Sequence, residues 1–130
     1  LGTEKALVVH GSDGLDEITL SGKTHAAMVH QGAVQSLSIH PEDADLEPAP
    51  LSALKGGDAA QNAQITKEIL SGSDKGPRTD VVLLNAGAAF LVAESVDNLK
   101  QGVDKARECI ESGAAFKKLN ELVQFTGSKT

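Results

Sequence analysis

Three carboxylates crowd the end of an apolar run in residues 8–17, VVHGSDGLDE, where Asp13, Asp16 and Glu17 fall within five positions. Hard cations such as Mg²⁺ prefer carboxylate oxygens, keep part of their water and are shared with substrate phosphates. Adjacent Asp16 and Glu17 are spaced so that they could hold such a metal together, directly or through water. Gly11 and Gly14 let the backbone turn tightly, and ligands of open α/β sheets gather at the carboxyl ends of strands, where this loop should lie. Acidic residues beside glycines are most often a plain solvated turn, so spacing alone favours that reading over a metal role. An EF-hand is excluded, because no twelve-residue pattern closes on a bidentate Glu.

A second stretch, KGGDAAQNA at residues 55–63, leads two glycines into a helix start, an arrangement that can turn bare N–H groups toward an anion. Asp58 at the cap position competes for the same donors, and Asp58 with Gln61 has the spacing of a capping box, so a capped helix start is the favoured reading. Neither GxGxxG nor GxxxxGK[ST] occurs. In NAGAA, residues 85–89, small side chains point to close approach of another backbone, with Asn85 available to satisfy a neighbouring carbonyl. His10, His25, His30 and His40 have no zinc-like spacing, and the single cysteine, Cys109, cannot complete a set. Cys109 lies beside an apolar stripe and reads as a half-buried helix residue. Without a nucleophile elbow, the Ser, His and Asp residues give no hydrolase triad.

The elements that must position these residues follow from periodicity. KALVV, residues 5–9, reads as a short buried strand and Ile18–Leu20 as another. Ala26–Val29 and Val34–Ile39 form a hairpin, since Leu37 and Ile39 alternate with Ser36, Ser38 and His40. Residues 41–54, rich in proline and carboxylates, read as an extended surface loop that includes the solvated acidic run from Glu42 to Glu47. A helix opens at Asp58, with Ala59, Ala63, Thr66 and Leu70 on one side, Ile69 beside them and Gly72 as its stop. The apolar segment Val81–Ala93 is thirteen residues long. One buried helix capped by Thr79 or Asp80 is favoured there over a strand followed by a helix. Leu99, Val103, Ala106 and Ile110 mark a helix capped by Asp97, and Phe116, Leu119, Leu122 or Val123 and Phe125 continue a stripe toward a frayed TGSKT tail. Strands first and helices after predict an α/β domain, a small mixed sheet with helices packed on it.

The 130 residues suit one domain. A formal net charge of −6 with no basic run excludes the electrostatic footprint of nucleic acid or anionic lipid. No apolar stretch is long enough to span a bilayer. One cysteine excludes an internal disulfide and fits a reducing compartment, so a soluble, cytoplasmic protein is expected. The chain begins with Leu1 and enters a strand pattern almost at once, which points to residues removed upstream.

In order, VVHGSDGLDE, LSALKGGDAAQNAQITKEILSG, RTDVVLLNAGAAFLVAES and LKQGVDKARECIESGAAFKKLNELV resemble anthranilate phosphoribosyltransferase, the enzyme of tryptophan biosynthesis, from Lys5 to about Val123. The resemblance implies a partial phosphoribosyltransferase/nucleoside-phosphorylase-like α/β domain. It also implies a reaction in which the anthranilate nitrogen displaces diphosphate from C1 of 5-phosphoribosyl 1-diphosphate, with Asp16 and Glu17 as the family's acidic pair that helps bind Mg²⁺. The family's GTGGD loop, its KHGN stretch and the arginine that meets the anthranilate carboxylate are not in this sequence. In the family they lie upstream, with the helical domain that makes its homodimer. Residues 1–130 therefore look like the C-terminal part of the phosphoribosyltransferase α/β domain, inactive alone. Gly87 stands where the family more often has alanine, a change expected to loosen a helix without touching chemistry. The alternative is a non-catalytic module acting by Mg-phosphate binding or partner association.

Overall fold

Residues 24–39 fold as the hairpin that their alternation predicts. Strands β2 (Thr24–His30) and β3 (Ala33–Ile39) run antiparallel, with His30 opposite Ala33 and Thr24 opposite Ile39. Gln31 and Gly32 join them with positive φ at both positions, 50° and 76°, the mirror-image turn whose twist matches that of the flanking strands. Strand β1 (Lys5–Gly11) pairs antiparallel with β2, Lys5 opposite His30 and Gly11 opposite Thr24. The structure, a computed structural model, describes residues 2–127, and its sheet has the order β1-β2-β3. The domain is α/β with helices packed on a small sheet. That sheet is antiparallel, not mixed, because neither connection contains the crossover that parallel neighbours require.

The first helix, α1 (Ala59–Leu70), is closed by the expected capping box. Asp58 Oδ1 accepts the Gln61 N–H at 2.9 Å, and Gln61 Oε1 accepts the Asp58 N–H at 2.9 Å. Replacing Asp58 with Ala should lower stability by about 1 kcal/mol, measured by urea unfolding; an unchanged midpoint would remove the cap argument. The apolar stripe expected on this helix is corrected. Ile69 is buried while Ala59, Ala63 and Thr66 face solvent, because α1 lies at the margin of the domain.

Val81–Ala93 falls almost entirely within one helix, α2 (Pro77–Val92), whose Leu83 and Leu84 are fully buried. Its cap is Gly76, not Thr79 or Asp80, since Pro77 suits the first helical position and sets the start earlier. Asp74 ties down this entry by accepting the Gly76 N–H at 2.7 Å, and its backbone carbonyl accepts the Thr79 hydroxyl at 3.0 Å. Helix α3 (Leu99–Glu111) buries Val103, Ala106 and Ile110 as its spacing predicts. Its cap is Asn98, whose Oδ1 accepts the Gln101 N–H at 2.9 Å, and not Asp97.

Helices α2 and α3 cross where Gly87 meets Gly102. A Cβ on Gly87 would lie 2.7 Å from the Val103 nitrogen, and one on Gly102 would overlap the Gly87 carbonyl. Gly87 is thus a packing requirement, the close backbone approach that the small side chains of residues 85–89 predict. Cys109, on α3, is half-buried.

Gly113 turns the chain with φ 82° into α4 (Ala114–Gly127). Phe116 and Leu119 are half-buried, but Leu122, Val123 and Phe125 are more than half exposed, so the stripe predicted through Phe125 does not continue into the core. Of TGSKT, Thr126 and Gly127 end α4 and residues 128–130 lie outside the described residues. The 41–54 stretch also departs from an extended surface loop. It forms short 3₁₀ turns at Pro41–Ala44 and Leu51–Leu54, and Pro41, Ala44 and Leu46 fill one end of the core. Among the described residues no helix is long and apolar enough to cross a membrane.

Candidate functional site

Residues 12–23 connect β1 to β2 and carry the three carboxylates. Gly14 takes a φ of 93°, and the Gly11 N–H donates to the Leu15 carbonyl at 2.9 Å. The tight turn that the glycines predict is therefore present. Asp13 points inward: it accepts the Leu15 N–H at 3.0 Å, the Ser21 hydroxyl at 2.7 Å and the Thr19 hydroxyl. The Thr19 hydroxyl, with help from Ser21 and Leu15, holds the Asp13 carboxyl below its ordinary value of 3.8 against the opposing effect of burial. Ionised Asp13 thus stabilises the fold above pH 3.8, and this contribution is lost as pH falls through its lower folded value. Urea midpoints of the wild type and Asp13→Asn should differ most above pH 3.8 and converge below it. A gap that does not vary with pH would contradict this role.

Ile18–Leu20 is not the expected strand. Its backbone is satisfied by side chains, with the Thr19 N–H donating to Thr24 Oγ1 at 3.0 Å and the Ile18 N–H to Asn85 Oδ1 at 2.9 Å. Ile18, Thr19 and Leu20 are all buried. The loop is therefore pinned by Asp13 before the acidic pair and by residues 18–20 after it.

Between these anchors Asp16 and Glu17 are both exposed, and no hydrogen bond or ion pair among the described residues occupies either carboxylate. Glu17 borders a hollow of about 510 Å³ that also takes in Ser52, Leu54, Lys55 and Val81. Arg78 Nη2 donates to the Lys55 carbonyl at 2.7 Å and so holds the far wall. Among the described residues no cluster of three or more His, Cys, Asp and Glu side chains forms. Two free carboxylates without a cage fit Mg²⁺, which takes one or two protein carboxylates and completes its shell with water and phosphate.

The glycines of 55–63 are not an open anion site. Asn62 Oδ1 accepts the Gly57 N–H at 2.8 Å, and Asn62 Nδ2 donates to the Gly57 carbonyl at 3.0 Å, so the capped-start reading describes this stretch. The histidines remain apart from the acidic pair. His10 faces His25 across β1 and β2, and His30 lies 3.5 Å from Glu94. Sequence patterns miss the role of Asp13 and the distant partner of Asn85. They group Asp13 with the outward carboxylates, although the hydroxyls of Thr19 and Ser21 are an available signal for an inward acceptor. Asn85 satisfies carbonyls as expected, those of Ile18 and Val81, but at 67 residues from Ile18 it carries no local signal of that partner.

The model of the glycosyl transferase family, a/b domain, matches residues 1–116. The anthranilate phosphoribosyltransferase of Petrotoga mobilis is 45% identical over 126 residues, 97% of this chain and 36% of that protein. The crystal structure of anthranilate phosphoribosyltransferase from Thermus thermophilus is 42% identical with a TM-score of 0.84, over 93% of this chain and 35% of that one. The solved structure of anthranilate phosphoribosyltransferase from Saccharomyces cerevisiae in complex with PRPP and Mg is 30% identical with a TM-score of 0.85, over 94% of this chain and 35% of that one.

Proposed function

The chain belongs to the glycosyl transferase family, a/b domain, and from that premise we propose that it supplies the metal-binding corner of an anthranilate phosphoribosyltransferase. It is the C-terminal part of the enzyme's α/β domain. The reaction is transfer of phosphoribosyl from 5-phosphoribosyl 1-diphosphate to the anthranilate nitrogen, in tryptophan biosynthesis in the cytoplasm. Asp16 and Glu17 would hold Mg²⁺. When bound, the ion offsets the charge that develops on the departing diphosphate. Asp13 keeps its own carboxylate out of that role and holds the loop in shape, while Lys55 lines the hollow beside Glu17. The GTGGD loop and the helical region of the homodimer belong to residues upstream of this portion.

The observation that carries this reading is the pair of exposed, unengaged carboxylates, Asp16 and Glu17, on a loop anchored at both ends. Its test is calorimetric titration of this chain with 5-phosphoribosyl 1-diphosphate, with Mg²⁺ and then with EDTA. Binding only with Mg²⁺ is expected; equal binding in EDTA overturns the metal role. Addition of anthranilate should produce no loss of its fluorescence, and turnover would locate a complete site within residues 1–130.

One observation favours a second reading, partner association. A hollow of about 640 Å³ lies along β1 and α2, lined by Leu7, Val9, Ala88 and Val92. A chain that sediments as an assembly and ignores the phosphoribosyl substrate would favour it.

A further inference from the structure

Asn85 makes an unusual contact for a residue on a helix that otherwise packs through apolar side chains. Its Oδ1 accepts the Ile18 N–H at 2.9 Å, and its Nδ2 donates to the Ile18 carbonyl at 2.9 Å and to the Val81 carbonyl at 2.9 Å. A primary amide presents one acceptor and two donors, and here all three find partners. Val81 lies one helical turn back on α2, so the third bond fixes the side chain against its own helix. That helix is anchored by the fully buried Leu83 and Leu84. The Ile18 N–H belongs to the peptide unit shared with Glu17, so holding it restricts the ψ of Glu17.

We propose that Asn85 is a positioning residue for the acidic pair: by grasping both backbone groups of Ile18 it sets where Asp16 and Glu17 project. The proposal rests on the metal reading of that pair. Other side chains of similar size do not reproduce the contact. Ionised Asp keeps the acceptor but opposes the Ile18 and Val81 carbonyls with a second oxygen, and Ala leaves partly buried backbone groups without partners.

The test uses Mn²⁺, which shares the oxygen-ligand preference of Mg²⁺, titrated into the whole chain by electron paramagnetic resonance. Paramagnetic broadening of the amide signals of residues 16 and 17 is recorded in parallel. Asn85→Asp and Asn85→Ala should each weaken Mn²⁺ binding about tenfold, the scale seen when partners that orient metal ligands are removed. Broadening should also spread away from residues 16 and 17. Asp58→Ala, which loses a helix cap elsewhere, should leave Mn²⁺ affinity unchanged and so separates positioning from general destabilisation. If Asn85→Ala does not fold, Asn85→Asp, which keeps the acceptor for the Ile18 N–H, decides the question. Unchanged Mn²⁺ affinity and broadening in a folded Asn85 variant overturn the proposal while leaving the metal site standing. Unchanged affinity in Asp16→Asn with Glu17→Gln overturns the metal site, and the proposal with it.

Discussion

Asp16→Asn combined with Glu17→Gln is expected to leave the unfolding temperature of the chain unchanged and to weaken Mg²⁺-dependent binding of 5-phosphoribosyl 1-diphosphate about 100-fold. A unit charge 4 Å away contributes about 4 kcal/mol at an effective dielectric near 20, and even after most of this is offset by water lost from the ion, two such charges support that factor. Stability should not follow, because both side chains are exposed and make no bond among the described residues, and such surface changes stay within about 0.5 kcal/mol. Calorimetry with and without Mg²⁺ measures the first effect, and thermal unfolding followed by circular dichroism the second. Unchanged affinity would remove the metal assignment. A large fall in unfolding temperature would mean that the pair, like Asp13, serves the fold.

The largest effect on stability should come from the crossing of α2 and α3. Alanine is a better helix former than glycine by about 1 kcal/mol, so Gly87→Ala and Gly102→Ala would each stabilise a helix free in solution. In the folded chain the added methyl meets backbone: the Val103 nitrogen for Gly87, the Gly87 carbonyl for Gly102. Backbone cannot rotate aside as a side chain can. The helices must separate, around a core that includes Leu84 and Val103. Overpacking costs about 1–3 kcal/mol, so each variant should be destabilised by up to about 2 kcal/mol after the propensity gain. Gly102→Ala should suffer more, because its methyl would come closer. The double variant should cost less than the sum, since one separation relieves both contacts. Urea unfolding decides; a neutral or stabilised Gly102→Ala would mean that the crossing yields easily.

What could be read from sequence was what is local. The Asp58 and Gln61 capping box spans three residues, the hairpin is set by alternation and a two-residue turn, and the buried stripe of α3 repeats at helical spacing. Even local rules failed where neighbours compete: Asp97 and Asn98 are both good caps, and the position of the first helical turn chose Asn98. Periodicity in α1 and at the end of α4 marked apolar faces without showing that little would cover them. The antiparallel sheet, the meeting of Gly87 with Gly102 and the grasp of Asn85 on Ile18 join distant segments, and single-sequence patterns carry no partner information. The acidic pair was singled out by composition and resemblance. The division of labour within the loop, Asp13 inward and Asp16 with Glu17 outward, required coordinates.

The bond between Ile18 and Asn85 also has a bearing on time. The β2-β3 hairpin closes across two residues, whereas this contact closes a loop of 67, and such non-local closures carry the larger entropic cost and form slowly. During synthesis the strands are complete after Ile39, but the residue that steadies the acidic loop has yet to be made. A nascent chain can therefore possess its sheet and both carboxylates while still lacking their fixed geometry, which arrives only when α2 emerges and docks.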